Sequence, residues 1–259
     1  MTYSKKTLSE INEKHLGINH VHDDLLLRLG SFQQKLKSEK AREYLMQGVG
    51  RRLKTITRCI DNIFTLFPAN QIKHLSKEDL TDIDINLHAF FINIAGIFDN
   101  LGWVFVYEHE LLGKVKEGKI PRGGVGLFNE ATQKHLKTEL REYLNSDPTK
   151  SWYENYSKNY RDSLAHRIPL YVPPSLLNKA EAKVYQNIEA QIRALDFNKA
   201  RDRDRYDELR NTQYGLGRAC HFFAHSSKEG GRPVYLHAQV FADYATVEEV
   251  IDRFCKNFS

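Results

Sequence analysis

Two runs of apolar residues, set at alternating steps of three and four, constrain this chain more than any other feature. In the first, Leu45, Val49, Leu53, Ile56, Ile60, Ile63 and Phe67 fall on one side of an α-helix, and Pro68 closes it. In the second, Leu87, Phe90, Ile94, Ile97, Leu101 and Val104 repeat the rhythm. Each stripe must be buried against other helices, so the spacing predicts a mostly helical, all-α bundle. The first helix is expected over about 35–67 and the second over about 82–112.

The rest of the chain reads as shorter pieces. Val21 to Leu29 is expected as a short helix with His20, His22, Asp23 and Asp24 at its start, either a metal-binding cluster or an acidic helix start facing solvent. Gly113 to Asn129, with PRGGVG at its centre, reads as a loop; it does not follow a strand and carries no GxxxxGK[ST] phosphate cradle. A helix over about 130–144 is broken by Asp147-Pro148, and another follows over about 151–167. Beyond Pro174 come a helix over about 178–195 and one opened by the RDRDR run that reaches about His225. Ser226 to Gly231 is expected as a turn, Val234 to Val240 as a lone short strand and Val247 to Phe258 as a final helix. With no repeat or linker, a single domain is expected, its core bundle over about 35–174 and a C-terminal extension over about 175–259.

Totals narrow the setting. Hydrophobic residues at 41% and charged residues at 27% support a packed core, and a net charge of +5 leans mildly towards anionic partners. Three cysteines without paired spacing and an N-terminus lacking an apolar core point to a cytoplasmic chain. The apolar stretch Leu87 to Val106 is interrupted by His88, Asn93, Asp99 and Asn100, which argues against a membrane span.

Chemistry concentrates in Tyr160 to Pro174, YRDSLAHRIPLYVPP, at the end of an aromatic helix stopped by Pro169. The guanidinium of Arg161 can hold a phosphate in its planar fork, and the imidazole of His166 can move protons near neutral pH. Asp162, four residues before His166, can orient that ring. Arg161 and His166 are five apart, about 140° around an ideal helix, so they converge only at a distorted helix end or across two copies of the chain. Arg218/His225 and Arg232/His237 are similar pairs, the former seven apart on one expected helical face. The tyrosine-rich face of the motif helix reads as core rather than a base-stacking platform. On the earlier helix Asn86, Asn93 and Asn100 recur every seven residues, either as helix-to-helix hydrogen bonds or as a polar lining opposite the Arg/His helix. The basic run Arg51, Arg52, Lys54 and Arg58 surrounds the first stripe and reads either as a track for phosphates or, in preference, as a solvated helix flank. A zinc reading of HFFAH, with His221 and His225 at i and i+4 and Cys220 adjacent, lacks a general-base glutamate and a third ligand, and there is no GxSxG.

YRDSLAHRIPLYVPP together with INIAGIFDNLGWVFV (Ile92 to Val106) resembles the HEPN superfamily, and more closely a branch of uncharacterised bacterial HEPN-like proteins. The resemblance covers about thirty residues. It implies an up-and-down all-α bundle with about four core helices, a homodimer, and an R-x4-6-H motif carrying metal-independent ribonuclease activity on RNA, with no cofactor. On this chain Arg161 and His166 are the motif ends and Asp162 the polar position after the arginine. Asn93 matches the polar residue on an earlier helix, with Asp99 and Asn100 as further candidates. An antitoxin or regulatory protein partner, in a toxin or phage-defence setting, follows from the same resemblance. Some members bind RNA, a nucleotide or a protein without cutting, and the region after Pro174 has no counterpart in it.

Overall fold

The computed structural model describes residues 3–225 and 233–258. The expected turn at 226–231, and Arg232 of the Arg232/His237 pair, lie outside them. The chain opens with α1 (Lys5–Gln33). A composite rod follows, made of α2 (Glu39–Glu43), a π-helical segment (Tyr44–Gly50) and α3 (Arg51–Leu66). The longest helix, α4 (Lys77–Glu108), runs back along it. Three short helices, α5 (Leu112–Lys116), α6 (Glu130–Gln133) and α7 (Thr138–Asn145), then lead to a second composite rod. That rod consists of α8 (Asp147–Trp152), a π-helical segment (Tyr153–Ser157) and α9 (Lys158–His166). A hairpin of α10 (Lys179–Arg193) and α11 (Ala200–Tyr214) follows. The antiparallel pair β1 (Phe222–Phe223) and β2 (Val234–Tyr235) comes next, with Phe222 opposite Tyr235, and α12 (Leu236–Lys256) closes the chain.

Local chemistry fixes the helix starts. The hydroxyls of Ser4, Ser38 and Ser76 accept from backbone N–H groups in the first turns of α1, α2 and α4, and Asn178 and Glu181 form a reciprocal capping box on α10. The expected stripes are the core. Leu45, Val49, Leu53, Ile56, Ile60, Ile63 and Phe67 are fully buried, as are Leu87, Phe90, Ile94, Ile97, Leu101 and Val104. One continuous apolar core joins α1, α3, α4, the second rod and α12. It therefore reaches beyond 35–174 at both ends, and α12 is a core helix. Among the described residues α4 is the one helix long and apolar enough to cross a bilayer, and 67% of its apolar window is buried inside the bundle.

Several expected boundaries move, each for a physical reason. The helix expected at 21–29 begins at Lys5, because Leu8, Ile11, Ile18, Leu25 and Leu29 continue the stripe and His22 occupies one of its positions. The His/Asp cluster therefore sits mid-helix, where Asp24 lies 3.6 Å from His20 and Asp23 lies 3.1 Å from His22. Pro148 opens α8 in its first turn, the position where a missing N–H costs nothing, so the motif rod starts at Asp147 rather than 151. The helix expected at 130–144 is split into α6 and α7. The helix expected to reach His225 stops at Tyr214. Gly217 has φ +82°, and a Cβ there would come within 2.6 Å of the Leu176 carbonyl oxygen, so the chain turns and runs extended. His221 and His225 are thus not on a helix. The i, i+4 zinc geometry and the shared helical face of Arg218 and His225 go with it. The strand expected over 234–240 is two residues long, since Leu236 already begins α12.

Candidate functional site

The polar face of α4 is where the described side chains offer chemistry. Its three heptad-spaced asparagines have different partners. Asn86 accepts from Asn62 Nδ2 on α3 at 2.9 Å and donates to the Asp82 carbonyl at 2.7 Å. Asn93 and Asn100 instead share one guanidinium. Arg52 of α3 donates from Nη1 to Asn93 Oδ1 at 3.0 Å and from Nε to Asn100 Oδ1 at 2.9 Å. The helix-to-helix reading of these amides is what the geometry shows, and the helix they meet is α3 rather than the Arg/His helix. Of the basic run, Arg51, Lys54 and Arg58 are exposed as expected, whereas Arg52 is folded onto α4.

Two glycines make room for this arrangement. A Cβ on Gly96 would stand 2.3 Å from Arg52 Cζ, and one on Gly48 would stand 2.8 Å from Asn100 Cγ. Gly48 lies in the first π-helical segment and Tyr153 in the second, so both irregular segments flank this face of α4; single-turn π segments recur at functional sites.

Asp99, beside Asn100, lies in the field of two arginines. It is exposed at the surface, yet the protein packed around its carboxyl displaces water and raises it above the usual range, while Arg161 and then Arg52 pull it back. Arg161, on α9, packs towards α4 with its Nε buried. Asp162 Oδ1 is 3.3 Å away but outside hydrogen-bond geometry, so that N–H has no acceptor among the described residues. Tyr153 completes the surroundings: burial, then the charge of Asp99, push its phenol up to about 12. Its ring stacks on Phe128 at 3.8 Å.

His166 stands apart. It is the exposed last residue of α9, and among the described residues no hydrogen bond or ion pair reaches its ring. Asp162 is turned to Arg161 and makes no hydrogen bond to His166. Within one protomer, then, Arg161, Asp162, Asp99, Asn93 and Asn100 gather with Arg52 around α4, and His166 is not brought to them. Arg52 stands in the basic run of the sequence, but its seat over Gly96 and its bonds to Asn93 and Asn100 are not legible there; the one signal is a basic residue one step off the apolar stripe.

A second missed residue holds the motif rod in place. Asp243 of α12 is fully buried and accepts from Trp152 Nε1 at 2.8 Å, Gln239 Nε2 at 2.9 Å and Tyr156 Oη at 3.0 Å. Burial outweighs these three donors and pushes its carboxyl up to about 7. The aromatic face of the rod is core, as expected: Tyr160 is buried against Phe91, Phe223 and His225. His237 is a buried histidine with structural contacts. His237 Nε2 donates to the Phe67 carbonyl at 2.6 Å, Tyr3 Oη is 3.3 Å from Nδ1, and burial pushes the ring down to about 4.

Fold and site together define an all-α bundle whose longest helix presents a polar face met by arginines of α3 and α9. No family model, no curated protein and no solved structure matches the chain.

Proposed function

We propose that this bundle is a HEPN-like, RNA-directed module that cuts RNA without a metal, acting as a homodimer. The observation that carries the reading is the Arg161 guanidinium, partly exposed on α9 with Asp162 Oδ1 3.3 Å from its Nε and Asp99 in its field, a group suited to a phosphate oxygen. In the reaction the 2′-oxygen attacks phosphorus as its proton leaves, the 5′-oxygen departs with a proton, and a cyclic phosphate remains. Arg161 stabilises charge on the crowded phosphate and His166 carries the proton. His166 lies on the exposed end of α9, so it reaches that phosphate from a second copy of the chain.

A second reading, an RNA- or nucleotide-binding module that does not cut, draws on the separation of His166 from the polar cluster within one protomer. Incubating purified protein with single-stranded RNA in EDTA separates the two. The cleavage reading expects products with cyclic phosphate ends, a rate lowered about a hundredfold or more in Arg161→Ala and His166→Ala, and a dimer by light scattering. RNA left intact by the wild type, or cut equally fast by both variants, overturns it; retarded but intact RNA is the result expected of the second reading.

A further inference from the structure

The interface between α3 and α4 contains two polar ties of different kinds. One is the neutral amide pair Asn62–Asn86, which needs nothing further. The other places a full positive charge, Arg52, against two neutral amide oxygens. If holding the helices together were the only task, a second amide pair would serve without bringing in a guanidinium that makes no ion pair among the described residues and has only the more distant charge of Asp99 in its field. A guanidinium has five N–H donors, and the two asparagines take two of them. Nη2 makes no protein hydrogen bond and is not among the buried unpaired atoms, so it meets solvent.

What it meets is a recess of about 290 Å³ lined by Gln47, Gly48, Arg51, Arg52, Thr55, Asn93 and Asn100, without one acidic side chain. Arg51 is exposed beside Arg52 and has no carboxylate partner among the described residues. Two neighbouring arginines, one locked by amides over a glycine, with amide side chains around them, match the geometry and charge of a tetrahedral oxyanion. Gly48 and Gly96 leave room for Asn100 and Arg52, and the two amide oxygens orient the guanidinium before a ligand arrives.

We propose that this recess is a binding site for a phosphate group, presented by an RNA backbone and held by Arg51 and Arg52. The site goes beyond the cleavage reading and stands whether or not Arg161 and His166 cut. The probes are a fluorescein-labelled single-stranded RNA twelve-mer, followed by anisotropy, and inorganic phosphate, followed by calorimetry. Both are expected to bind, and Arg51→Gln, Arg52→Gln and Thr55→Glu each to weaken binding about tenfold. The slope of log affinity against log salt should fall by about one for each arginine removed. Arg52→Gln also removes a helix tie; if it misfolds, Arg51→Gln and Thr55→Glu, at the open side of the recess, carry the test. Phosphate binding without RNA binding would overturn the RNA backbone as the source and leave a free phosphate ester. Unchanged affinity for both probes in folded Arg51→Gln and Thr55→Glu would overturn the site itself. His166→Ala that stops cutting but still binds phosphate would show the recess standing apart from the chemistry.

Discussion

Asp99 and Asp243 face the same motif rod from different helices, and they are handled in opposite ways. Asp243 is fully buried on α12 and surrounded by neutral donors from Trp152, Tyr156 and Gln239; no cation is bonded to it. Asp99 is exposed on α4 and lies in the field of Arg161 and Arg52. A carboxyl satisfied by neutral donors in a dry interior fixes one packing arrangement, because any other leaves those donors orphaned. A carboxyl between half-exposed cations holds nothing rigid; it sets how much positive charge remains for a ligand. On the proposed reading one site belongs to folding and the other to binding, and substitutions should separate them.

The largest effect is expected from Asp243→Leu. The leucine fills a similar volume but leaves the indole N–H, the phenol O–H and the Gln239 amide without an acceptor. At about 1–3 kcal/mol for each orphaned group, the loss should be on the order of 3–9 kcal/mol, a large part of a domain's stability. Urea unfolding measures it, and Asp243→Asn, which keeps an acceptor oxygen, should cost much less. Equal costs for the two would mean that Asp243 merely fills space.

The next effect is a dependence on pH. Asp243 is raised from 3.8 to about 7, so the folded state holds its proton more tightly than the unfolded chain. Its contribution is therefore greatest at low pH and is lost as pH rises from about 4 to about 7. His237, lowered from 6.5 to about 4, contributes in the other direction: its stability is present above 6.5 and lost as pH falls towards 4. Because the two oppose each other, the wild-type curve alone is uninformative. The difference between wild type and Asp243→Asn isolates the carboxyl. Wild type should lose ground to the variant steadily from pH 4 to 7, at up to about 1.4 kcal/mol per pH unit. A flat difference would place the carboxyl in an ordinary, hydrated environment.

How visible these two regions were in the sequence follows the same division. Periodicity exposed α3 and α4, because their core positions are uniformly apolar from Leu45 to Val104. It hid most of α1, where His22 holds a core position, and the first half of α12, whose β-branched and aromatic opening mimics a strand. Gly215 and Gly217 carried the signal that ends α11 at Tyr214, and the RDRDR helix pattern was extended past them. Within the site, the seven-residue spacing of Asn93 and Asn100 was readable, since all the residues lie on one helix. Their partner Arg52 lies across a helix interface that only tertiary pairing defines. Asp243 left a single trace, a lone carboxylate between the apolar positions Val240, Tyr244 and Val247.

The smallest change in stability, and the most direct probe of the binding side, is Asp99→Asn. The residue is exposed and, among the described residues, no hydrogen bond depends on its charge, so unfolding should shift by less than about 1 kcal/mol. Its removal nevertheless frees Arg161 and Arg52 from the one carboxylate they share. Affinity for single-stranded RNA should therefore rise roughly threefold at low salt, and the gain should shrink as salt screens the field. The same substitution at Asp243 should do the reverse: it alters stability and its pH dependence, and leaves RNA affinity alone. If Asp99→Asn binds RNA no better than wild type while staying folded, the charge between the two arginines does not face the ligand, and the polar face of α4 would then be a helix tie like Asn62–Asn86, repeated with a costlier residue.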